Sequence, residues 1–153
     1  MSLSAPQHVV VNSFADHVDA IPFYMGYTPT EMLILTTLRT SGVLEHRVSP
    51  VGPIVDGGSL NNFVTIDFAD VSLVLVALLG LDKRLASTVL RWTVDALEEA
   101  FIPLINIGMG TPQVSAGWAS SGHYAEMHRN GTLGPSRPRP VSDIALAALM
   151  AGW

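Results

Sequence analysis

The sequence predicts an α/β fold: a single domain over residues 1–153, with a mixed β-sheet that holds an antiparallel hairpin and a β-α-β crossover, flanked by helices. Three observations predict it. Short runs of aliphatic and β-branched residues recur along the chain at strand length. Two of them are separated only by "RTSG", a hairpin connection with Gly42 near its end. Two others enclose the long amphipathic stretch "DKRLASTVLRWTVDALEEAF", and a strand, a helix of that length and another strand form a right-handed crossover onto a parallel neighbour.

Taken in order, "QHVVV" (7–11) reads as a short strand. A helix follows in "NSFADHVDAIPFYMG", with Ser13 as N-cap and Asp16 three residues on. Phe14, Val18, Ile21 and Met25 fall at helical spacing and form its buried face. Pro22 removes one backbone donor, so a kink or an early end is expected there, and Gly26 is the natural stop. The next turn is a hinge in which Tyr27 packs and Pro29 fixes the direction of the chain.

"EMLILTTL" lacks clean alternation, as expected of a strand covered on both faces. "VLEHRVSPV" alternates better and is its partner, with Glu45 and Arg47 facing out. "GPIVDGGSLNNF" is a loop by its Gly, Pro, Asn and Asp content, and "VSLVLVAL" is a second buried strand. On the long helix, Leu85, Val89, Trp92 and Ala96 mark one apolar stripe, and Leu90, Val94, Leu97 and Phe101 a neighbouring one. Trp92 is therefore assigned to the core. Pro103 ends the helix, "LINIGMG" returns as a strand, and "QVSAGWAS" is a further strand. Residues 120–140 form an irregular loop, and residues 141–153, "VSDIALAALMAGW", a C-terminal helix.

Composition narrows the function. Charged residues make up 14% of the chain, against roughly 25% in an average domain, while 48% are hydrophobic. A domain of this size leaves much of its surface in water, so a second chain, most often a copy of the first, is the expected cover. The net charge of −5 and the lack of a basic run beyond "SRPRP" exclude non-specific nucleic-acid binding. Without cysteine there is no disulfide, thiolate metal site or cysteine nucleophile. No basic leader opens the chain, and "VSLVLVALLGL" is too short to span a bilayer. A cytoplasmic protein that does not enter a membrane is expected.

The stretch "DAIPFYMGYTPTEMLILTTLRTSGVLEHRV", with Pro22, Gly26, Tyr27, Pro29, Glu31 and Met32, resembles the opening of the actinobacterial and actinophage domain-of-unknown-function family numbered four-one-nine-two. "AGWASSGH", "NGTL" and "VSDIALAALMAG" resemble its later motifs, so the likeness covers most of the chain. Gly117 stands where the family usually has arginine, and histidines stand in the loop where cysteines are common. The family has no established activity. Short length and divergence, set beside this resemblance, imply a phage-encoded copy acting in the host cytoplasm.

Few residues invite chemistry. In "GHYAEMH", His123, Glu126 and His128 are the ligand types that divalent metals take, although the spacing is not that of a zincin. The plain alternative is a surface loop with scattered polar groups. "NIGMGTPQ" has Gly-x-Gly after a strand but no helix N-terminus after it, so it reads as a turn rather than a phosphate cradle. Asp16, His17 and Asp19 cluster on the first helix; Asp16 is explained by the helix N-terminus, and adjacent residues do not share a face.

Two functions remain. One is a non-catalytic binding or protein-interaction protein, a homo-oligomer, docking through the C-terminal helix and exposed sheet edges with Trp118, Leu149, Met150 and Trp153 as anchors. The other is a small metal-dependent enzyme or ligand-binding domain near His123, Glu126 and His128. Its site would be lined by Tyr24, Tyr27 and Trp118 as well as by the two histidines. A convergent pocket would favour the second and a flat apolar surface the first.

Overall fold

A computed structural model describes residues 14–26, 31–52, 60–80 and 82–139. The expected strand over 7–11, Ser13, Tyr27, Pro29 and the helix over 141–153, with Leu149, Met150 and Trp153, lie outside them. The described helices are α1 (Phe14–Met25), α2 (Leu60–Phe63), α3 (Lys83–Ala100) and α4 (Ile102–Asn106). The strands are β1 (Met32–Arg39), β2 (Leu44–Pro50), β3 (Val71–Leu79), β4 (Gln113–Ala119), β5 (His123–Glu126) and β6 (Arg137–Pro138). They form one mixed sheet in the order β2-β1-β3-β4-β5-β6. β3 and β4 are parallel and joined through α3; the other neighbours are antiparallel.

Side-chain alternation divides the core. Leu33 and Leu35 of β1 and Val74, Val76 and Leu78 of β3 join Val89, Leu90 and Leu97 of α3 in one apolar cluster. Ile34, Ala77 and Leu79, which point the other way, join Phe14, Val18 and Ile21 of α1. Each helix thus covers one face, and β1 reads as a continuous apolar run because it is buried on both. The β1–β2 hairpin closes over Thr40, Ser41 and Gly42: Arg39 N–H donates to the Val43 carbonyl at 2.9 Å, and Gly42 takes a φ of 90°. That conformation favours glycine.

The α1 helix runs through Pro22 to Met25 and stops at Gly26, whose N–H donates to the Pro22 carbonyl at 2.9 Å. Pro22 neither ends it early nor shortens its buried face. Asp82 caps α3 by accepting from Leu85 N–H at 3.0 Å, which satisfies one of the donors that a helix start leaves free.

Several expectations are corrected. Residues 104–106 of the expected "LINIGMG" strand belong instead to the short helix α4, and the parallel partner of β3 is β4. Pro103 sits in the first turn of that helix, where its missing N–H costs nothing. The 120–140 segment is not wholly irregular: it holds β5, β6 and a bridge between Met127 and Leu133. Ser120 organises its start, its hydroxyl accepting from His123 N–H at 3.2 Å. The buried stripe of α3 is Ala86, Val89, Leu90, Thr93 and Leu97, whereas Leu85 and Trp92 are exposed, Trp92 at 45%. Thr93 belongs in the core because its hydroxyl donates to the Val89 carbonyl at 2.8 Å. Trp118 is no exposed anchor: it is buried, and its Nε1–H donates to the Gly80 carbonyl at 2.9 Å.

Candidate functional site

The residues singled out as metal ligands do not converge. His123 and Glu126 are three apart on β5, so their side chains leave opposite faces. His128 lies beyond the strand, at the start of a turn where Gly131 N–H donates to its carbonyl at 3.0 Å. Among the described residues no group of three His, Asp or Glu side chains is placed to hold an ion. Of the expected pocket lining, Tyr24 sits on the α1 side of the sheet, whereas Trp118 belongs to the α3 core. Tyr27 is outside the described residues.

Open grooves mark the described surface at two places near α3. One, of about 560 Å³, runs between the start of α3 and Thr132–Leu133, lined by Lys83, Arg84, Ser87 and Thr88. The Lys83 ammonium is already engaged there, donating to the Gly134 carbonyl at 2.6 Å. The other, of about 310 Å³, lies between residues 64–66 and the end of α3. None of the residues singled out from the sequence lines either groove.

The structure instead gathers polar rings between α1 and the first hairpin. Tyr24 stacks on His46 with ring centroids 4.7 Å apart, and His17 lies 6.5 Å from Tyr24 on the same helix. His46 Nδ1 shares a 2.9 Å hydrogen bond with the Thr36 hydroxyl across the β1–β2 pair. His17 is 1% exposed, and its Nε2 finds no hydrogen-bond partner among the described residues. Burial, with a smaller contribution from nearby His46, lowers the His17 pKa from 6.5 to about 4, so the ring is neutral at pH 7. Burial also lowers the His46 pKa and raises that of Tyr24, which keeps the cluster uncharged.

A second polar link ties α1 to the far end of the sheet. Asp19 is buried, and the Arg139 guanidinium meets its carboxylate at 2.5 Å while donating to the Ser120 carbonyl at 3.1 Å. One of the two arginines of "SRPRP" is thereby committed to structure.

The sequence reading groups His17 with Asp16 and Asp19, not with Tyr24, and does not single out His46. The signal for His17 was present: Phe14, His17, Val18 and Ile21 follow the i, i+3, i+4, i+7 pattern of one buried face. The signal for His46 lay in its alternation with Glu45 and Arg47. Chemically, the cluster is a set of neutral rings at the edge of a sheet. It offers no activated nucleophile among its described members, because neither imidazole reaches a hydroxyl other than that of Thr36, which sits in the ladder.

No protein-family model, curated protein or solved structure matches the chain. Among the described residues no helix is long and apolar enough to cross a membrane.

Proposed function

We propose that the chain is a non-catalytic protein-interaction module that associates with copies of itself, and, on the strength of the resemblance, that it is phage-encoded and works in the host cytoplasm. One observation carries the interaction reading. Ile102, Ile105, Ile107 and Met109 are all exposed along α4 and the turn that follows it, Ile107 at 70%. A soluble monomer scatters single apolar side chains over its surface, but four within eight consecutive residues make a patch that favours a covering chain. Among the described residues His123, Glu126 and His128 are not grouped to hold an ion, which supports the interaction reading over the metal-dependent alternative.

The test is the intact mass of the purified chain under native conditions, alone and after affinity capture from its host. The expected result is a multiple of 16.3 kDa, reduced when Ile105 and Ile107 are both changed to Glu. A strictly monomeric chain that carries a stoichiometric small ligand would overturn the reading.

A further inference from the structure

We infer that strand β2 pairs with β2 of a second copy of this chain, antiparallel and centred on His46, so that the two sheets become one. The inference rests on the interaction reading above and adds to the Ile102–Met109 patch a second surface through which copies associate.

The main-chain phase of β2 comes first. Arg39 N–H bonds the Val43 carbonyl at 2.9 Å and Val51 N–H bonds the Glu31 carbonyl at 3.2 Å. With the β1–β2 register of Leu35 opposite Arg47 and Thr37 opposite Glu45, these bonds fix residues 43, 45, 47, 49 and 51 as the inward-bonded set. Leu44, His46 and Val48 therefore turn their N–H and C=O groups outward. No described strand lies on that side.

The two outer strands differ in how they are guarded. The β6 edge is two residues long and contains Pro138, a device that prevents further pairing. β2 is seven residues long, keeps an unbroken register with β1, and has no Pro before its last position. Its one proline, Pro50, leaves Leu44–Ser49 free to pair.

Charge then selects the partner and the register. A second copy of β2 can meet the first only where outward-facing residues oppose outward-facing residues. Centring the pair on His46 sets Leu44 opposite Val48 of the second copy, and Glu45 opposite Arg47 of the second copy, twice over by symmetry. Sliding one way sets Glu45 opposite itself, and sliding the other way sets Arg47 opposite itself. Both alternatives oppose like charges across the strands, which is destabilising. Glu45 and Arg47 are both exposed. Arg39 approaches Glu45 at 2.9 Å, and its hydrogen bond holds the carboxyl below its ordinary pKa range, so the carboxylate is charged. Among the described residues, Arg47 makes one hydrogen bond, a 3.3 Å contact with the Phe63 carbonyl. Strand 44–48 is thus complementary to itself in this one register.

Charge reversal tests this. Glu45→Arg and Arg47→Glu are each expected to weaken self-association by at least roughly tenfold, because each makes both cross-strand contacts repulsive. An equimolar mixture of the two variants is expected to restore a heterodimer, distinguished from homodimers by native mass. The Arg39 contact is lost in Glu45→Arg whether or not a partner is present, so only an intermolecular pairing explains recovery on mixing. In the unaltered protein, the amide protons of Leu44, His46 and Val48 should exchange more slowly as concentration rises, which needs no variant to fold. Unchanged association of either variant, a mixture that stays monomeric, or amides that exchange fast at every concentration would overturn the inference. If the wild type self-associates while the variants associate equally well, the edge pairing fails and the interaction reading stands. A wild type that never associates removes both.

Discussion

On one face of the sheet, Leu90 and Leu97 of α3 share an apolar cluster with Leu33, Val76 and Leu78. On the other, α1 brings His17, Asp19 and Tyr24 down beside a smaller apolar cluster, with Thr36 and His46 beneath. The first face is held by the area it removes from water. The second buries polar groups: a displaced Asp19 would lose Arg139, and His17 is tolerated there as a neutral ring. Stability resides mainly under α3, while α1 is positioned by polar contacts whose strength depends on conditions. Substitutions on the two faces should therefore behave differently.

The largest effect is expected under α3. Leu97→Ala removes a fully buried side chain from a tightly shared core and should cost about 4 kcal/mol, measured by urea unfolding. Ile21→Ala on α1, also fully buried, should cost about 2 kcal/mol, because a single helix on a smaller cluster relaxes more readily around the loss. Equal costs would erase the distinction between the faces.

Acid should attack the α1 face first. The folded pKa of His17 lies near 4 and the unfolded value near 6.5, so the unfolded chain binds a proton more readily. The stability contributed by the neutral ring is complete above pH 6.5 and is lost as pH falls toward 4, amounting to about 3 kcal/mol. His46, also lowered, adds in the same direction. Unfolding free energies at several pH values should show this slope, and His17→Phe should flatten most of it. A slope unchanged in His17→Phe would place the acid sensitivity elsewhere.

The two helices also differ in how closely they approach the sheet. A Cβ at Gly117 would lie 2.5–2.7 Å from three atoms of the Phe14 ring, so α1 rests on bare backbone at that point. Gly117→Ala should cost about 2 kcal/mol by overpacking, and Phe14→Leu in the same chain should recover part of it. Additive costs for the pair would show that the ring is not what Gly117 accommodates. Any side chain at Gly117 would have to displace the Phe14 ring.

The parts of this fold legible in the sequence were those with several turns or strand residues of pattern. β1, β2, β3, β4, α1 and α3 all announce themselves through apolar runs or helical spacing. β5 did not, because of its four residues only Ala125 is buried, and its strand character comes from pairing with β4. α4 was mistaken for a strand because "LINI" is as apolar as β3, and only the placement of Pro103 at a helix start distinguishes it. Trp92 and Trp118 exchanged roles for a similar reason. Hydrophobicity alone does not tell which of two adjacent stripes turns inward, and the small residues Ala86 and Thr93 decided it. The expected metal site was a matter of residue types close in sequence. Strand geometry then sent His123 and Glu126 apart.

The smallest expected effect belongs to neither face but to the ends of the central strands, where Glu31 leads into β1 beside Gly80 at the end of β3. Glu31 holds a φ of 51° and Gly80 one of 81°. A Cβ on Gly80 would come within 2.9 Å of the Glu31 backbone nitrogen, so the close approach already uses the glycine at one of the two positions. Glu31 adopts a left-handed conformation that costs a side-chain-bearing residue roughly 1–2 kcal/mol. Replacing it with glycine removes that cost but loosens the unfolded chain, which offsets part of the benefit. Glu31→Gly should therefore stabilise the protein by about 0.5 kcal/mol, seen as a small rise in Tm. Because this strain lies outside both helix-covered faces, the change should leave the acid slope and the costs of Leu97→Ala and Ile21→Ala untouched; a shift in any of them would mean that the strand ends and the α1 face move as one unit.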